Sequence, residues 1–154
     1  MIRAADLVSK LALQPHPEGG WYREIYRSPT RVETTHGSRS ALTTIYYLLE
    51  QNQLSRWHVV QADEIWHFYA GAPLELVAYT PDTRAVELHR LDSPTSVSVI
   101  PTGVWQAARS LGEYSLVGCT VGPGFEFADF EFVAALAGHR DHFKGDLAPF
   151  ANLL

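Results

Sequence analysis

Short strand-like runs, separated at fairly even intervals by turn residues, constrain what this chain can fold into. The runs are rich in β-branched and aromatic residues or alternate apolar with polar residues, and both patterns are typical of strands. They are WYREIYR, RSALTTIYYLLE, PLELVAYTP, VELHRL, TSVSVIP, VWQAARS and YSLVGCTVGPG, with two more inside RWHVVQADEIWHFYAG. Turn residues separate them, as at Asn52, Pro81 and Gly112. Eight or more short strands in this spacing predict an all-β fold, closed as a sandwich or a barrel.

One helix is predicted before the strands, over about residues 4–13. Apolar residues recur there at helical spacing, at Ala4, Leu7 and Leu11. Pro15 ends the pattern, because proline inside a helix removes a backbone donor and clashes with the preceding turn. The sequence therefore predicts a short N-terminal helix in front of the strands.

A single domain is predicted for residues 1–154. The length is close to the commonest size of one domain, and 46% of the residues are hydrophobic, which is enough for one sizeable core. The barrel is predicted over about residues 20–133. At its end we expect a short strand or turn near residues 130–133, followed by a loosely organised tail.

The overall charge argues against polyanionic partners. The net charge of −5 gives no general attraction to nucleic acid or anionic lipid, so neither is expected as a partner. No stretch of about 20 apolar residues is present, so no membrane span is expected. Cys119 is the one cysteine, which excludes an intrachain disulfide and fits a reducing compartment. We therefore expect a cytoplasmic protein.

The stretch RWHVVQADEIWHFYAG combines strand-forming residues with polar ones. It places His58, Glu64 and His67 among four aromatic residues, and buried polar groups are costly unless something satisfies them. Three interpretations follow: metal ligands, a catalytic acid and base, or side chains that hydrogen-bond each other in the core. In a regular strand Glu64 and Trp66 share one face, whereas His67 points to the other.

The same stretch, followed by PTGVWQAA, resembles the two motifs of the cupins. The first cupin motif contains HxH, then a glutamate three or four residues later, then a glycine after six more. His58, Glu64 and Gly71 fit these places. The second motif, PxGxxH, matches at Pro101 and Gly103. This resemblance implies a double-stranded β-helix, the cupin jelly-roll barrel, with its site inside.

Three positions depart from the cupin pattern. Val60 stands at the second histidine position, Gln106 at the histidine of the second motif, and Asn52 at the first glycine. The stretches PHPEGGWYRE, ADEIWHFYAG, IPTGVWQAA and YSLVGCTVGPGFEFADFE are most similar to the small group called cupin family five. That similarity covers most of the chain and implies a homodimer.

The resemblance also bears on metal binding. The usual cupin site needs three imidazoles and a carboxylate, and a transition-metal site normally needs at least three good donors. Val60 cannot coordinate a metal, and the amide of Gln106 is a poor substitute for imidazole. We therefore expect no cofactor; a divalent metal, if one binds, would take His58, Glu64 and Gln106.

Without a metal, His58 and Glu64 are the candidate catalytic residues. Burial raises the pKa of a carboxyl group and lowers that of an imidazole, which tunes both for acid and base work. Metal-free cupins that epimerise nucleotide-linked keto-sugars use a histidine base and a tyrosine acid, so the resemblance implies a metal-independent isomerase or epimerase on a sugar-like or nucleotide-sugar substrate. Candidates for the tyrosine are Tyr46, Tyr47, Tyr69 and Tyr114. A non-catalytic metabolite-binding cupin and a metal-dependent oxygenase or isomerase are the alternatives.

Further residues are predicted to contact a small polar organic ligand. In PHPEGGWYRE the prolines and glycines force an irregular turn that fixes Glu18 and Arg23, either for a ligand or for a dimer interface. Aromatic walls with a few convergent polar groups are typical of small-molecule pockets. The remaining candidates are Gln106, Trp105, Trp66 and His67.

Overall fold

The computed structural model describes residues 2–154, so Met1 of the predicted domain lies outside the described residues. The helices are α1 (Ala4–Lys10) and α2 (His139–His142). The strands are β1 (Gln14–Pro15), β2 (Trp21–Arg27), β3 (Arg31–Thr34), β4 (Gly37–Ser40), β5 (Thr43–Glu50), β6 (Leu54–Val60), β7 (Asp63–Gly71), β8 (Leu74–Thr80), β9 (Ala85–Leu91), β10 (Val97–Ile100), β11 (Trp105–Ser110), β12 (Tyr114–Gly122) and β13 (Phe130–Phe132). Short 3-10 helices span Phe127–Asp129, Val133–Ala135 and Ala148–Leu153.

Two antiparallel sheets form the barrel. One has the strand order β1-β2-β5-β12-β7-β10 and the other β13-β6-β11-β8-β9, while β3 and β4 make a separate hairpin. Side chains of both sheets fill the space between them, including Tyr47, Trp66, Leu76 and Val117. The predicted all-β jelly-roll barrel is confirmed.

Strand alternation sorts the β6 residues onto two faces. Trp57 and Val59 face outward and join an apolar cluster with the C-terminal segment. His58 and Val60 face inward and line a pocket. Across the ladder Gln106 of β11 pairs with His58, so an amide and an imidazole are neighbours within the five-stranded sheet.

The C-terminal segment packs firmly on the barrel, contrary to the loosely organised tail predicted from the sequence. Leu147 and Leu153 are fully buried against the outer face of the five-stranded sheet. The indole of Trp57 donates to the carbonyl oxygen of Phe150 at 2.9 Å. The segment consists of 3-10 turns and one short helix, whose apolar residues follow no long repeat. A search for strand or helix periodicity therefore misses it.

Helix α1 covers the other sheet. Its residues Ala4 and Leu7 pack with Leu48, Tyr114 and Leu116 on the outer face of the six-stranded sheet. The helix ends at Lys10, earlier than the predicted residue 13. No helix within residues 2–154 is long and apolar enough to cross a membrane.

The strands predicted from apolar patterns are present, and two polar ones were missed. The runs at β2, β5 and β8 to β12 fall within one to four residues of the predicted segments. The β3 and β4 hairpin was not predicted, because its residues are mostly polar and leave little apolar alternation. Arg39 of this hairpin is paired with Asp129, at 2.7 Å between Nε and Oδ2.

Candidate functional site

One pocket of about 160 Å³ lies between inward-facing residues of both sheets. Strands β2, β5, β6, β7 and β12 contribute to it, as do the segment before β2 and the segment after β12. Its lining residues are Gln14, His16, Glu18, Tyr22, Glu24, Arg27, Thr43, Ile45, His58, Val60, Glu64, Cys119, Val121, Phe125, Phe127 and Phe130. The lining combines titratable groups with aromatic rings, the composition of a small-molecule site.

His58 is buried, and one of its ring nitrogens is committed to the protein. Nδ1 lies 2.7 Å from the carbonyl oxygen of Arg56 and 3.2 Å from Oε2 of Glu18. A carbonyl oxygen only accepts hydrogen bonds, so Nδ1 carries the proton and the neutral ring is the Nδ1–H tautomer. Burial lowers the pKa of His58, an effect that Glu64 partly offsets. Nε2 is therefore left with a free lone pair, while the ring stacks on Phe130 at 5.0 Å between centroids.

Glu64 is held by a buried hydrogen-bond chain that crosses from one sheet to the other. The indole N–H of Trp66 donates to Oε1 of Gln106 at 2.9 Å, and Nε2 of Gln106 donates to Oε2 of Glu64 at 2.6 Å. Because an indole nitrogen only donates, Trp66 fixes which end of the amide faces Glu64. Burial raises the pKa of Glu64 to about 7, against the opposing effect of His58. The carboxyl group can therefore both give and take a proton near neutral pH.

The segment between β1 and β2 carries Glu18 into the pocket. The backbone N–H of Glu18 donates to Nδ1 of His16 at 3.1 Å. Gly19 follows with φ of +107°, a left-handed conformation that favours glycine. Its carbonyl oxygen accepts a hydrogen bond from the hydroxyl of Tyr47 at 2.6 Å. Burial raises the pKa of Glu18, and the nearby His16 partly counters this.

His16 is a second buried imidazole in the pocket wall. Its Nδ1 accepts the hydrogen bond from Glu18, so the proton of the neutral ring lies on Nε2. Burial lowers the pKa of His16, and the nearby carboxyl group of Glu18 partly offsets this effect. The ring packs edge to face against Tyr22 at 4.5 Å and Tyr47 at 5.5 Å. The two histidines are thus complementary, because one presents a donor and the other an acceptor.

Arg27 enters the pocket wall through an irregularity in β2. The pairing of β2 with β5 shifts between Glu24 and Tyr26, which brings Arg27 to the same side as Glu24. Its guanidinium lies 2.8 Å from the carboxylate of Glu24 and 3.0 Å from that of Glu126. It also donates to the carbonyl oxygen of Phe125 at 2.9 Å. These contacts tie the aromatic segment after β12 to β2.

Three of the residues predicted to bind ligand lie elsewhere. Trp105 faces the C-terminal segment, with its ring 4.9 Å from that of His142. The guanidinium of Arg23 lies 5.9 Å from the ring centroid of Tyr46, outside the barrel. His67 lies on the opposite face of β7 from Glu64, as strand alternation predicts. None of these three side chains lines the pocket.

Gln106 and Trp66 are close to the site but behind it. Both are almost fully buried, and neither lines the pocket. Their polar atoms bond to each other and to Glu64, so they position that carboxyl group. Of the predicted ligand-binding residues, Glu18 alone joins His58 and Glu64 in the lining.

None of the four tyrosines that the sequence offered as a second acid lines the pocket. Tyr46 and Tyr69 pack on each other outside the barrel at 6.1 Å, and Tyr114 packs under α1. Tyr47 is buried beside Glu18, and its hydroxyl donates a hydrogen bond to the carbonyl oxygen of Gly19. Tyr22 lines the pocket instead.

A family comparison identifies the family to which this barrel belongs. The family model described as Cupin superfamily (DUF985) matches residues 5–133. The chain belongs to this cupin family. It is accordingly a small-molecule-binding cupin, built on the barrel described above.

Two solved structures and one curated protein sequence are similar to this chain. Protein SO0799 from Shewanella oneidensis is 34% identical, with 92% of this chain and 93% of that chain covered and a TM-score of 0.82. A hypothetical protein from Leishmania major is 32% identical, with 84% and 86% covered and a TM-score of 0.78. The Uncharacterized protein YML079W of Saccharomyces cerevisiae is 28% identical over 83% of this chain and 74% of its own length.

The residues at the cupin ligand positions do not fit the usual metal. Val60 supplies no donor, and both ends of the Gln106 amide are occupied by Trp66 and Glu64. Nδ1 of His58 is also engaged, with Arg56. Within residues 2–154 no group of three or more His, Cys, Asp and Glu side chains is placed to hold a metal ion. This cupin therefore lacks the three-imidazole set of the common cupin centre.

Several lining residues were missed from the sequence. The sequence position of His16 could have indicated it as a lining residue, because it stands two residues before Glu18 in the same irregular turn. Cys119 is buried and also lines the pocket, and burial raises the pKa of its thiol well above the ordinary value. Phe127 lies in the 3-10 turn after β12 and Phe130 begins the short strand β13, and no sequence pattern links either residue to the pocket.

Proposed function

We propose that this cupin catalyses metal-independent proton transfer, as an isomerase or epimerase, on a small sugar-like carbonyl compound. One observation carries the proposal: the contact of Nδ1 of His58 with the carbonyl oxygen of Arg56, which leaves Nε2 as a base in the pocket. A tyrosine, Tyr22, and a carboxyl group, Glu64, line the same pocket and supply the acid.

The proton transfer follows from this arrangement. Nε2 of His58 takes the proton from the carbon next to the substrate carbonyl, and Glu64 gives its proton to the carbonyl oxygen, which forms an enediol. His58 returns its proton to the former carbonyl carbon while the hydroxyl on the other carbon gives its proton to Glu64, which yields the isomer and restores both side chains. The epimer forms instead when the original carbon is reprotonated from the opposite face, for which Tyr22 is the available acid. A pKa of about 7 suits Glu64 for this exchange, since a catalytic acid works best near the operating pH.

Glu18 supports the charged state of His58 during the reaction. Its Oε2 lies 3.2 Å from Nδ1, so the imidazolium that forms meets a carboxyl group rather than apolar surface. A carboxylate behind a histidine base orients the ring and stabilises its cation in other acid-base sites.

A non-catalytic binding protein is the second candidate function. The closed chain from Trp66 through Gln106 to Glu64 favours it, because satisfied buried polar groups are also what a purely structural arrangement needs. In that case the pocket would hold a metabolite without exchanging its protons.

The test is solvent deuterium exchange. Chelator-treated protein is incubated in deuterated buffer with pentoses and hexoses, as aldoses and ketoses, and NMR follows the C–H signal next to the carbonyl. We expect signal loss with the unaltered protein and a rate at least about 100-fold lower for His58→Asn, which keeps a donor for Arg56 but removes the base.

His67→Asn is the matched control, because this histidine lies on the far face of β7. It is expected to leave the exchange rate unchanged. Absence of exchange with every sugar would favour the binding protein, and exchange that requires an added divalent metal would favour a metal-dependent cupin.

The predicted homodimer and cytoplasmic location stay predictions. Light scattering on the purified protein measures the mass in solution and tests the first of them.

A further inference from the structure

The lining of the pocket has no positive charge free for an anionic ligand. Among the described lining residues Arg27 is the one arginine, and no lysine is present. Its guanidinium is already matched by the carboxylates of Glu24 at 2.8 Å and Glu126 at 3.0 Å. A phosphate would need such a group, since arginine and lysine are the usual phosphate partners. Two carboxylates already occupy the guanidinium that it would use.

The two imidazoles of the lining do not replace that charge. Nδ1 of His16 accepts a backbone hydrogen bond, so this ring is not the doubly protonated cation. Burial lowers the pKa of both His16 and His58. Glu18 and Glu64 lie beside them, and any ionised fraction of these carboxyl groups repels an anion further.

What the pocket does offer is a set of neutral hydrogen-bonding groups beside aromatic rings. His16 presents a donor and His58 an acceptor, while the hydroxyl of Tyr22 can do either. Phe127 packs next to His16 and Phe130 stacks on His58, and both rings add apolar surface to the same lining. A ring-shaped molecule with hydroxyl groups on its edge and C–H groups on its faces matches both surfaces.

The volume limits the size of this molecule. The cavity of about 160 Å³ corresponds to roughly five water molecules at about 30 Å³ each. It is also below the range of about 300–1,000 Å³ that is typical of pockets for drug-sized ligands. A single sugar unit is of this order of size, so the nucleotide of a nucleotide-linked sugar would extend beyond the cavity.

We infer that the pocket takes an uncharged, hydroxyl-rich molecule of monosaccharide size, and that it discriminates against phosphorylated and nucleotide-linked sugars. This inference names the substrate class of the proposed function and rests on it for the reaction. Binding and proton transfer are nevertheless measured separately. The two can therefore fail independently.

The experiment is calorimetric titration with matched pairs, each a pentose or hexose and its phosphate ester. We expect at least one free sugar to bind and its ester to bind at least about tenfold more weakly, because the ester brings negative charge next to carboxyl groups. Glu126→Gln frees part of the Arg27 guanidinium, so the ratio of ester affinity to free-sugar affinity should rise several-fold.

Glu131→Gln is the control for the loss of one surface carboxylate, since Glu131 is exposed and takes no part in the Arg27 ion pairs. It should leave the affinity ratio unchanged. An ester that binds as tightly as its free sugar, an equal rise in the ratio for both variants, or the failure of every free sugar to bind would each overturn the inference. Failure of deuterium exchange with a sugar that does bind would overturn the proposed reaction alone.

Discussion

Oε2 of Glu18 lies 3.2 Å from Nδ1 of His58, which joins the N-terminal segment to an inner strand of the barrel. Both side chains are buried, and burial shifts the pKa of each toward its neutral form. The contact exists because the turn after Glu18 is held against the barrel by Gly19, whose carbonyl oxygen accepts from Tyr47. The site is therefore assembled from two parts of the chain that sequence motifs treat separately.

The substitution Gly19→Ala should displace this turn and move the side chain of Glu18 out of the pocket. A Cβ atom at Gly19 would collide with the carbonyl oxygen of Leu54, and φ is +107°. The left-handed conformation alone costs about 1–2 kcal/mol for a residue other than glycine, so the loss in the free energy of unfolding should exceed about 2 kcal/mol. Chemical denaturation measures it.

Gly103→Ala serves as the control for the conformational part. Gly103 also has a positive φ, +78°, but a Cβ atom there meets nothing within 4 Å. The Gly103→Ala substitution should lower the free energy of unfolding by only about 1–2 kcal/mol. Equal losses in the two variants would contradict a specific contact at Gly19.

Much of the barrel could be predicted from the sequence, because strand alternation reports which residues face the core. The motif positions His58 and Glu64 share one pocket for the same reason. The lining by Phe130 and the docking of Leu153 could not be predicted, since both depend on tertiary contacts of segments without periodicity. Gln106 was predicted as a ligand contact, but only the packing of β11 against β7 of the other sheet reveals that its amide is used up by Trp66 and Glu64.

Metal content should depend on the two altered cupin positions. The unaltered protein, purified without a metal-affinity tag, should contain far less than stoichiometric metal by elemental analysis. Val60→His with Gln106→His restores two imidazoles beside His58 and Glu64, so this double variant should bind a divalent metal at about one equivalent.

The single Val60→His variant adds only one imidazole and should bind metal more weakly than the double variant. Stoichiometric metal in the unaltered protein that disappears in His58→Asn would contradict the metal-free account.

Stability should fall as pH rises through the range in which Glu64 ionises. Its pKa is raised from 4.5 to about 7 in the folded protein, so the folded state binds more protons than the unfolded state between these values. The contribution of Glu64 is fully present below pH 4.5 and is lost by about pH 7, and it is at most about 3 kcal/mol. Glu64→Gln removes this dependence, which denaturation at several pH values measures. The same pH slope in Glu64→Gln and in the exposed control Glu131→Gln would show that Glu64 is not the source.

The C-terminal segment should contribute to stability. Leu153→Ala removes a fully buried side chain from the cluster with Trp57 and should lower the free energy of unfolding by about 3 kcal/mol. Leu88→Ala, at a leucine that is 58% exposed, should change it by less than about 0.5 kcal/mol. Similar effects of the two substitutions would mean that the segment does not pack on the barrel in solution.

The most direct measurement is the ¹⁵N NMR spectrum of the histidine rings near neutral pH, with the His58 signals assigned by their absence in His58→Asn. The account predicts a neutral ring with the proton on Nδ1 and an unprotonated Nε2, because Nδ1 donates to Arg56 and burial lowers the pKa of His58. An Nε2–H tautomer, or an imidazolium at neutral pH, would leave no free base in the pocket and would contradict the proposed proton transfer.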